Sequence, residues 1–157
     1  MNYWLLKSEP SSFGIDDFAK LKQRTTAWDG VRNYQARNYL RDGMHKGDQA
    51  FFYHSSCEIP GIAGIISIAR EAYPDATAFD RRHDHYDADS DRANPRWFVV
   101  DVRFERKFER VITLEELRRH TSGKLQDFVV LKRGNRLSVT PVTKGEWQFV
   151  LALADAQ

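Results

Sequence analysis

The densest chemistry in this chain lies between Trp28 and Asn38, where the residues run Trp-Asp-Gly-Val-Arg-Asn-Tyr-Gln-Ala-Arg-Asn. A large ring closes a β-prone run, a turn pair follows, and a helix start carries Asn33. Asn33, Arg37 and Arg41 recur at i, i+4 and i+8, so they share one helix edge. Tyr53, Ser55, Pro60 and Trp97 add rings and small polar groups, and Gly61 and Gly64 sit inside a strand pattern. Such residues suit a planar heterocycle, because rings stack on its faces while amides and hydroxyls read its edge. Each alone also suits a plainer role: Trp28 in a core, Asn33 as a cap, the arginines on a solvated face. Their co-occurrence is what favours a pocket.

Other chemistries are poorly supplied. There is no Gly-x-Ser-x-Gly elbow, no GxxxxGK[ST] loop and no GxGxxG. Asp87-Ala-Asp89-Ser-Asp91 opens like a calcium loop, but the sixth and twelfth positions hold Arg92 and Phe98 instead of Gly and Glu. His83-x-His85 beside Asp84 and Asp87 could touch a metal, but on a polar loop solvated histidines are the plainer reading, and no metal is expected. His54, Ser55, Ser56 and Cys57 contain a base and nucleophiles by type, yet Cys–His chemistry needs a hydrogen-bonded pair that spacing cannot show. His54 or Asp101 as acid–base groups define the competing class, an enzyme acting on a nucleotide or small molecule. An adaptor with a basic protein-binding face is a third class; it requires an exposed apolar patch.

Composition narrows the partners. The chain has 157 residues, 41% hydrophobic and 29% charged, with a net charge of +2. That length suits one domain, taken as residues 1–157. One cysteine excludes an internal disulfide framework. No apolar run approaches the roughly 20 residues of a membrane span. The N-terminus lacks a basic n-region, so a cytoplasmic protein is expected. Charge is uneven: residues 103–136 hold ten Lys or Arg against five acids, residues 32–46 four against one, and residues 74–91 two against six. Basic segments beside an aromatic pocket suit a nucleic-acid backbone that positions a base to be read.

The elements that must position these residues are short and mixed. Strands are expected at 3–7, 25–28, 49–54, 61–72, 97–111 and 134–139. Helices are expected at 15–22, at 33–42 with Asn33 as N-cap and Gly43 as stop, at 114–120 behind a Thr113-x-x-Glu116 capping box, and at 143–155. Residues 125–131 fit a short helix or a strand. Residues 75–94 lack periodicity and read as a mobile or helical-turn insertion. Strands and helices without regular βαβ alternation indicate an α+β fold with an antiparallel or mixed sheet.

Tyr3-Trp4-Leu5-Leu6-Lys7-Ser8-Glu9-Pro10, then Trp28-Asp29-Gly30-Val31-Arg32-Asn33 with Ala36-Arg37-Asn38, resemble the opening motifs of EVE-domain proteins. Gly47-Asp48, Phe51-Phe52-Tyr53-His54-Ser55, Pro60-Gly61-Ile62-Ala63-Gly64 and Pro95-Arg96-Trp97 continue the resemblance in order. It implies a PUA-like fold, a curved mixed sheet or pseudo-barrel surrounded by short helices. It also implies a reader of DNA or RNA that holds a modified base, methylated or hydroxymethylated, in an aromatic pocket, as the related YTH domains do. By that analogy Trp28 and Trp97 are walls. Asn33, Tyr53, Ser55 and the Pro60–Gly61–Ile62 backbone fall at the pocket, and Lys7 and Ser8 at its floor or rim. Arg32, Arg37 and Arg41 are the expected phosphate contacts. No catalytic residue and no cofactor are implied.

Overall fold

The computed structural model describes residues 1–156. Its centre is one six-stranded mixed sheet, open at both edges, in the order β2-β5-β4-β3-β1-β6. The strands are β1 (Tyr3–Ser8), β2 (Thr25–Ala27), β3 (Gln49–His54), β4 (Gly61–Pro74), β5 (Phe98–Thr113) and β6 (Val139–Val142). β1 lies parallel to β3; the other neighbours are antiparallel. The short helices are α1 (Pro10–Phe13), α2 (Ile15–Lys20), α3 (Tyr34–Asn38), α4 (Leu114–Arg118) and α5 (Lys144–Asp155).

The sheet is covered on both sides, and strand alternation sorts its residues. Trp4, Leu6, Phe52, Ile66 and Val100 face one core with Phe18, Trp28 and Leu40. Leu5, Phe51, Tyr53, Ile62 and Ile112 face the other with Phe128, Trp147 and Val150. The β4–β5 ladder shifts register at four places, which bends the longest pair. Gly61 and Gly64 lie on that ladder. A side chain at either would collide with a β5 carbonyl, Ile112 O or Arg106 O. The close approach foreseen at these glycines is therefore strand against strand.

Local signals explain most element ends. Pro10 begins α1 directly after β1, where its missing N–H costs nothing. Asn33 Oδ1 accepts the Ala36 N–H at 3.0 Å, so the expected cap is formed. The expected helix to Asp42 changes character: α3 ends at Asn38 and Tyr39–Gly43 continues as a π-turn. Thr113 caps α4, but Glu116 pairs with Arg110 at 2.6 Å instead of closing the box. The complete box is at α5, where Thr143 and Glu146 bond each other's backbone N–H.

Two expectations are corrected. The last strand is 139–142, not 134–139, because pairing with β1 begins only at Val139. Asn135 instead makes a turn, with its amide donating to Val129 O and accepting from Leu137 N. Residues 125–131 form neither a regular helix nor a strand; a single 3-10 turn spans Val129–Leu131.

Candidate nucleic-acid interface

Trp28 follows β2, and its backbone N–H donates to Val100 O at 2.8 Å. This ties it to the start of β5. The indole meets Phe52 at 5.6 Å and 88°, an edge-to-face pair. It is 8% exposed, buried except where it borders an open cavity of about 550 Å³. β1 and the residue after it contribute Lys7, Ser8 and Glu9; α1 contributes Ser12 and Phe13. The β2 end contributes Thr26, Ala27, Trp28, Asp29 and Gly30, and His85 reaches in from the 75–94 segment. Two other clefts have similar volumes, about 510 and 570 Å³, at α5 and at the N-terminus. Neither gathers the sequence motifs.

The cavity wall is held from behind by Asp75, 1% exposed. Its carboxylate accepts from Gly30 N, Arg32 Nη1, Thr77 N and Thr77 Oγ1, at 3.0, 2.9, 2.9 and 2.6 Å. Burial alone would push its pKa up. The hydrogen bonds from Thr77, Gly30 and Arg32 outweigh burial and hold it below the ordinary carboxylate value. Gly30 has φ +77°, and any side chain there would enter the His85 imidazole. The ring of His85 thus lies against bare backbone, which only glycine allows.

Arg32 is the second tie. It makes five hydrogen bonds, to Val31 O, Asp75, Thr77 and twice to His85 O. A guanidinium has five N–H groups, so none remains for a phosphate. Arg32, expected as a phosphate contact, instead locks the 75–94 segment to the turn after Trp28. Arg37 donates to Asn38 and to Arg96 O and lies over the Tyr34 ring. Arg41 pairs with the exposed Asp42. Both retain N–H groups beyond those bonds.

Of the expected pocket residues, the structure brings Lys7, Ser8 and Trp28 together. Tyr53 and Ile62 pack in the opposite core, because Tyr53 follows Phe52 and so faces away from Trp28. Burial raises the Tyr53 hydroxyl pKa to about 12. Gly61 is buried against β5. The Pro60 carbonyl accepts from Leu114 N, and Ser55 N donates to Ser8 O. Asn33 is at its cap. Trp97 stacks on Tyr34 at 5.0 Å, and its Nε1 donates to Asp87 at 2.6 Å. None of these seven walls the cavity. Lys7 Nζ lies 5.9 Å from the Tyr53 ring, and burial lowers its pKa.

His85 was missed. Its segment shows no periodicity, and only the Asp75 and Arg32 ties carry it to Gly30. Asp29, His83 and His85 place ligand atoms within 4.8 Å of one another. His83 Nδ1, however, accepts the His85 N–H at 3.0 Å. A neutral imidazole accepting at one nitrogen holds its proton on the other, which leaves His83 no lone pair for an ion.

The EVE domain profile matches residues 2–153. The chain belongs to the EVE domain family. It is 46% identical to human thymocyte nuclear protein 1 over 99% of this chain and 75% of that protein. The structure of human THYN1 protein in complex with 5-methylcytosine containing DNA matches this EVE domain with a TM-score of 0.95. The identity is 45%, covering 100% of this chain and 99% of that one. A Pseudomonas syringae protein of known structure matches with a TM-score of 0.91 and 46% identity over 97% and 99% of the two chains. The fold is therefore the PUA-like one that the motifs implied. No helix among the described residues of this EVE domain is long and apolar enough to cross a membrane.

Proposed function

We propose that this EVE domain, residues 1–157 acting as one unit, reads modified bases in DNA. One methylated or hydroxymethylated base leaves its stack and enters the cavity beside Trp28, and no bond is made or broken. The observation that carries the reading is the cavity itself: a largely buried indole that borders open space beside Lys7 and Ser8, in a fold that matches a DNA-bound relative closely. Flipping a base costs a few kcal/mol, least where it is already unpaired. Stacking on an aromatic ring returns about 1–3 kcal/mol. A methyl group in an apolar corner adds only about 0.8 kcal/mol, so polar or steric rejection of the wrong base must supply the rest. Arg37 and Arg41 contact phosphates. A nucleic-acid ligand suits the intracellular placement expected from the sequence.

The bonds of the acid–base candidates support binding over catalysis. His54 Nε2 accepts the Ile15 N–H at 3.1 Å, and Asp101 accepts the Tyr73 hydroxyl at 2.5 Å. Neither group borders the cavity.

The test is a binding screen of the purified protein. Single- and double-stranded DNA and RNA would carry cytosine, 5-methylcytosine, 5-hydroxymethylcytosine or N6-methyladenine at one site. Tighter binding to a modified DNA strand is expected. Equal affinity for every strand would refute the reading, and a preference for RNA would move it to the other nucleic acid. Mass spectrometry of the same incubations should show no new product; one that disappears in His54→Ala would make the protein an enzyme.

A further inference from the structure

The polar atoms around the cavity are unequal in hydrogen-bonding character. Ser8 Oγ donates its only proton to Phe13 O at 2.6 Å, so toward the cavity it can only accept. Asp29 and Glu9 line the same space, and neither carboxylate makes a hydrogen bond among the described residues. His85 Nδ1 stands 3.8 Å from Asp29 Oδ1, beyond hydrogen-bonding reach, and no other partner is found for it among those residues. The ammonium of Lys7 lies over the Tyr53 ring in the other core. Ser12 and Thr26 carry hydroxyls that can turn either way. The Trp28 Nε1–H makes no hydrogen bond among the described residues and is a donor, while Ser8 Oγ and the exposed carboxylates of Glu9 and Asp29 are acceptors, so acceptors predominate around the indole.

From this asymmetry we infer that the cavity selects a base carrying an exocyclic amine, cytosine and its 5-substituted forms, and rejects thymine, with Asp29 as the discriminating residue. The inference rests on the base-reading function proposed above. 5-Methylcytosine and thymine share a methyl group at the same place on the ring and differ at position 4 and in the proton that thymine carries on N3. Cytosine presents N4–H₂ donors there, and thymine an O4 acceptor. A carboxylate accepts from the first and repels the second. Shape and stacking on Trp28 cannot separate two bases so alike, so the discrimination falls to the acceptor set. Ser8 Oγ, with its proton committed to Phe13, supports Asp29 in the same sense. Of the two free acids, Asp29 adjoins Trp28 in sequence, and Asp75 holds the backbone N–H of the residue after it.

The experiment compares single-stranded DNA with one central 5-methylcytosine or one thymine, which removes the cost of unpairing from both. Fluorescence anisotropy should show wild-type protein preferring the 5-methylcytosine strand about tenfold or more. Asp29→Asn keeps the shape but adds an amide donor that can meet O4, so the preference should fall toward unity. Ser8→Ala should lower it by a smaller factor, and thermal melting of both variants confirms folding. Equal wild-type affinity for the two strands overturns the inference while leaving modified-base reading intact. A full preference surviving in Asp29→Asn overturns the role given to that residue. Failure of any modified strand to bind better than its unmodified counterpart removes the function on which the inference rests.

Discussion

Trp28 and Trp147 stand in opposite cores of this sheet among phenylalanines, and of these two only Trp28 lines an open cavity. Trp147 on α5 stacks on Tyr3 at 4.7 Å and on Phe51 at 4.1 Å, and it is 3% exposed. Trp28 meets Phe52 edge-to-face and adjoins the cavity. The difference comes from what covers each ring. A twelve-residue helix with a complete capping box lies over the Trp147 side. The Trp28 side is closed by the four-residue α1, a turn and the 75–94 segment. An aromatic residue becomes a binding surface where the chain beside it is too short or too irregular to close over it.

Replacing both tryptophans tests that contrast most strongly. Trp147→Ala should cost about 3–5 kcal/mol of stability, the usual range for emptying a packed aromatic site. Trp28→Ala should cost less, because one side of the ring already lacks packing partners. It should nevertheless abolish recognition of the modified base, with weak backbone binding surviving. Urea denaturation and anisotropy read the two effects separately. Equal stability losses would erase the distinction between the two sites.

The next effect concerns the ties behind the cavity. Asp75→Ala removes the partner of Gly30, Arg32 and Thr77 together. It should cost about 3 kcal/mol, the low end for breaking a buried pair, because Arg32 is partly exposed. Its folded-state pKa is lowered, so its contribution is full above the unfolded value near 3.9 and disappears as pH falls through the folded one. Acid unfolding of Asp75→Ala should therefore lose a component present in the wild type below about pH 4.

Arg37 and Arg41 define a smaller effect, on binding alone. A log–log plot of affinity for a single strand against salt should lose about 0.7 of slope for each phosphate contact removed. The double substitution to Ala should flatten the slope by about 1.4 if both contribute. An unchanged slope would make them an inert solvated edge.

The smallest effect belongs to His54. Burial lowers its pKa, and its Nε2 accepts the N–H of Ile15 at the start of α2. The neutral ring is favoured in the folded protein, so its contribution is full above the unfolded value near 6.5 and is lost as pH falls through the folded value. Mild acid should loosen α2 before it reaches the Asp75 network, as hydrogen exchange at Ile15 and Phe18 would show. His54→Ala should remove that step without affecting turnover.

Much of the scaffold was legible because its signals are local. β3 alternates cleanly between the two cores, Asn33 caps α3, and Thr113 begins α4, all within a few residues of the pattern that announces them. Residues 75–94 gave no such signal, since their order depends on Asp75 and Arg32 meeting across more than 40 positions. The same distance hid His85.

The sequence by itself determined the family, the mixed sheet and Trp28 as the ring to watch, because motif order and hydrophobic alternation are properties of the chain. The tertiary structure decided which side chains share a space with that ring. Tyr53 and Ile62 stand in motifs beside those of the site, yet the two-residue period of a strand sends Phe52 to Trp28 and Tyr53 to Trp147's core. Arg32 looks like a phosphate ligand by type and spacing, but its five donors are taken up by four acceptors inside the fold. Type and spacing set what a residue can do, and the partners that reach it first set what it has left to offer a ligand.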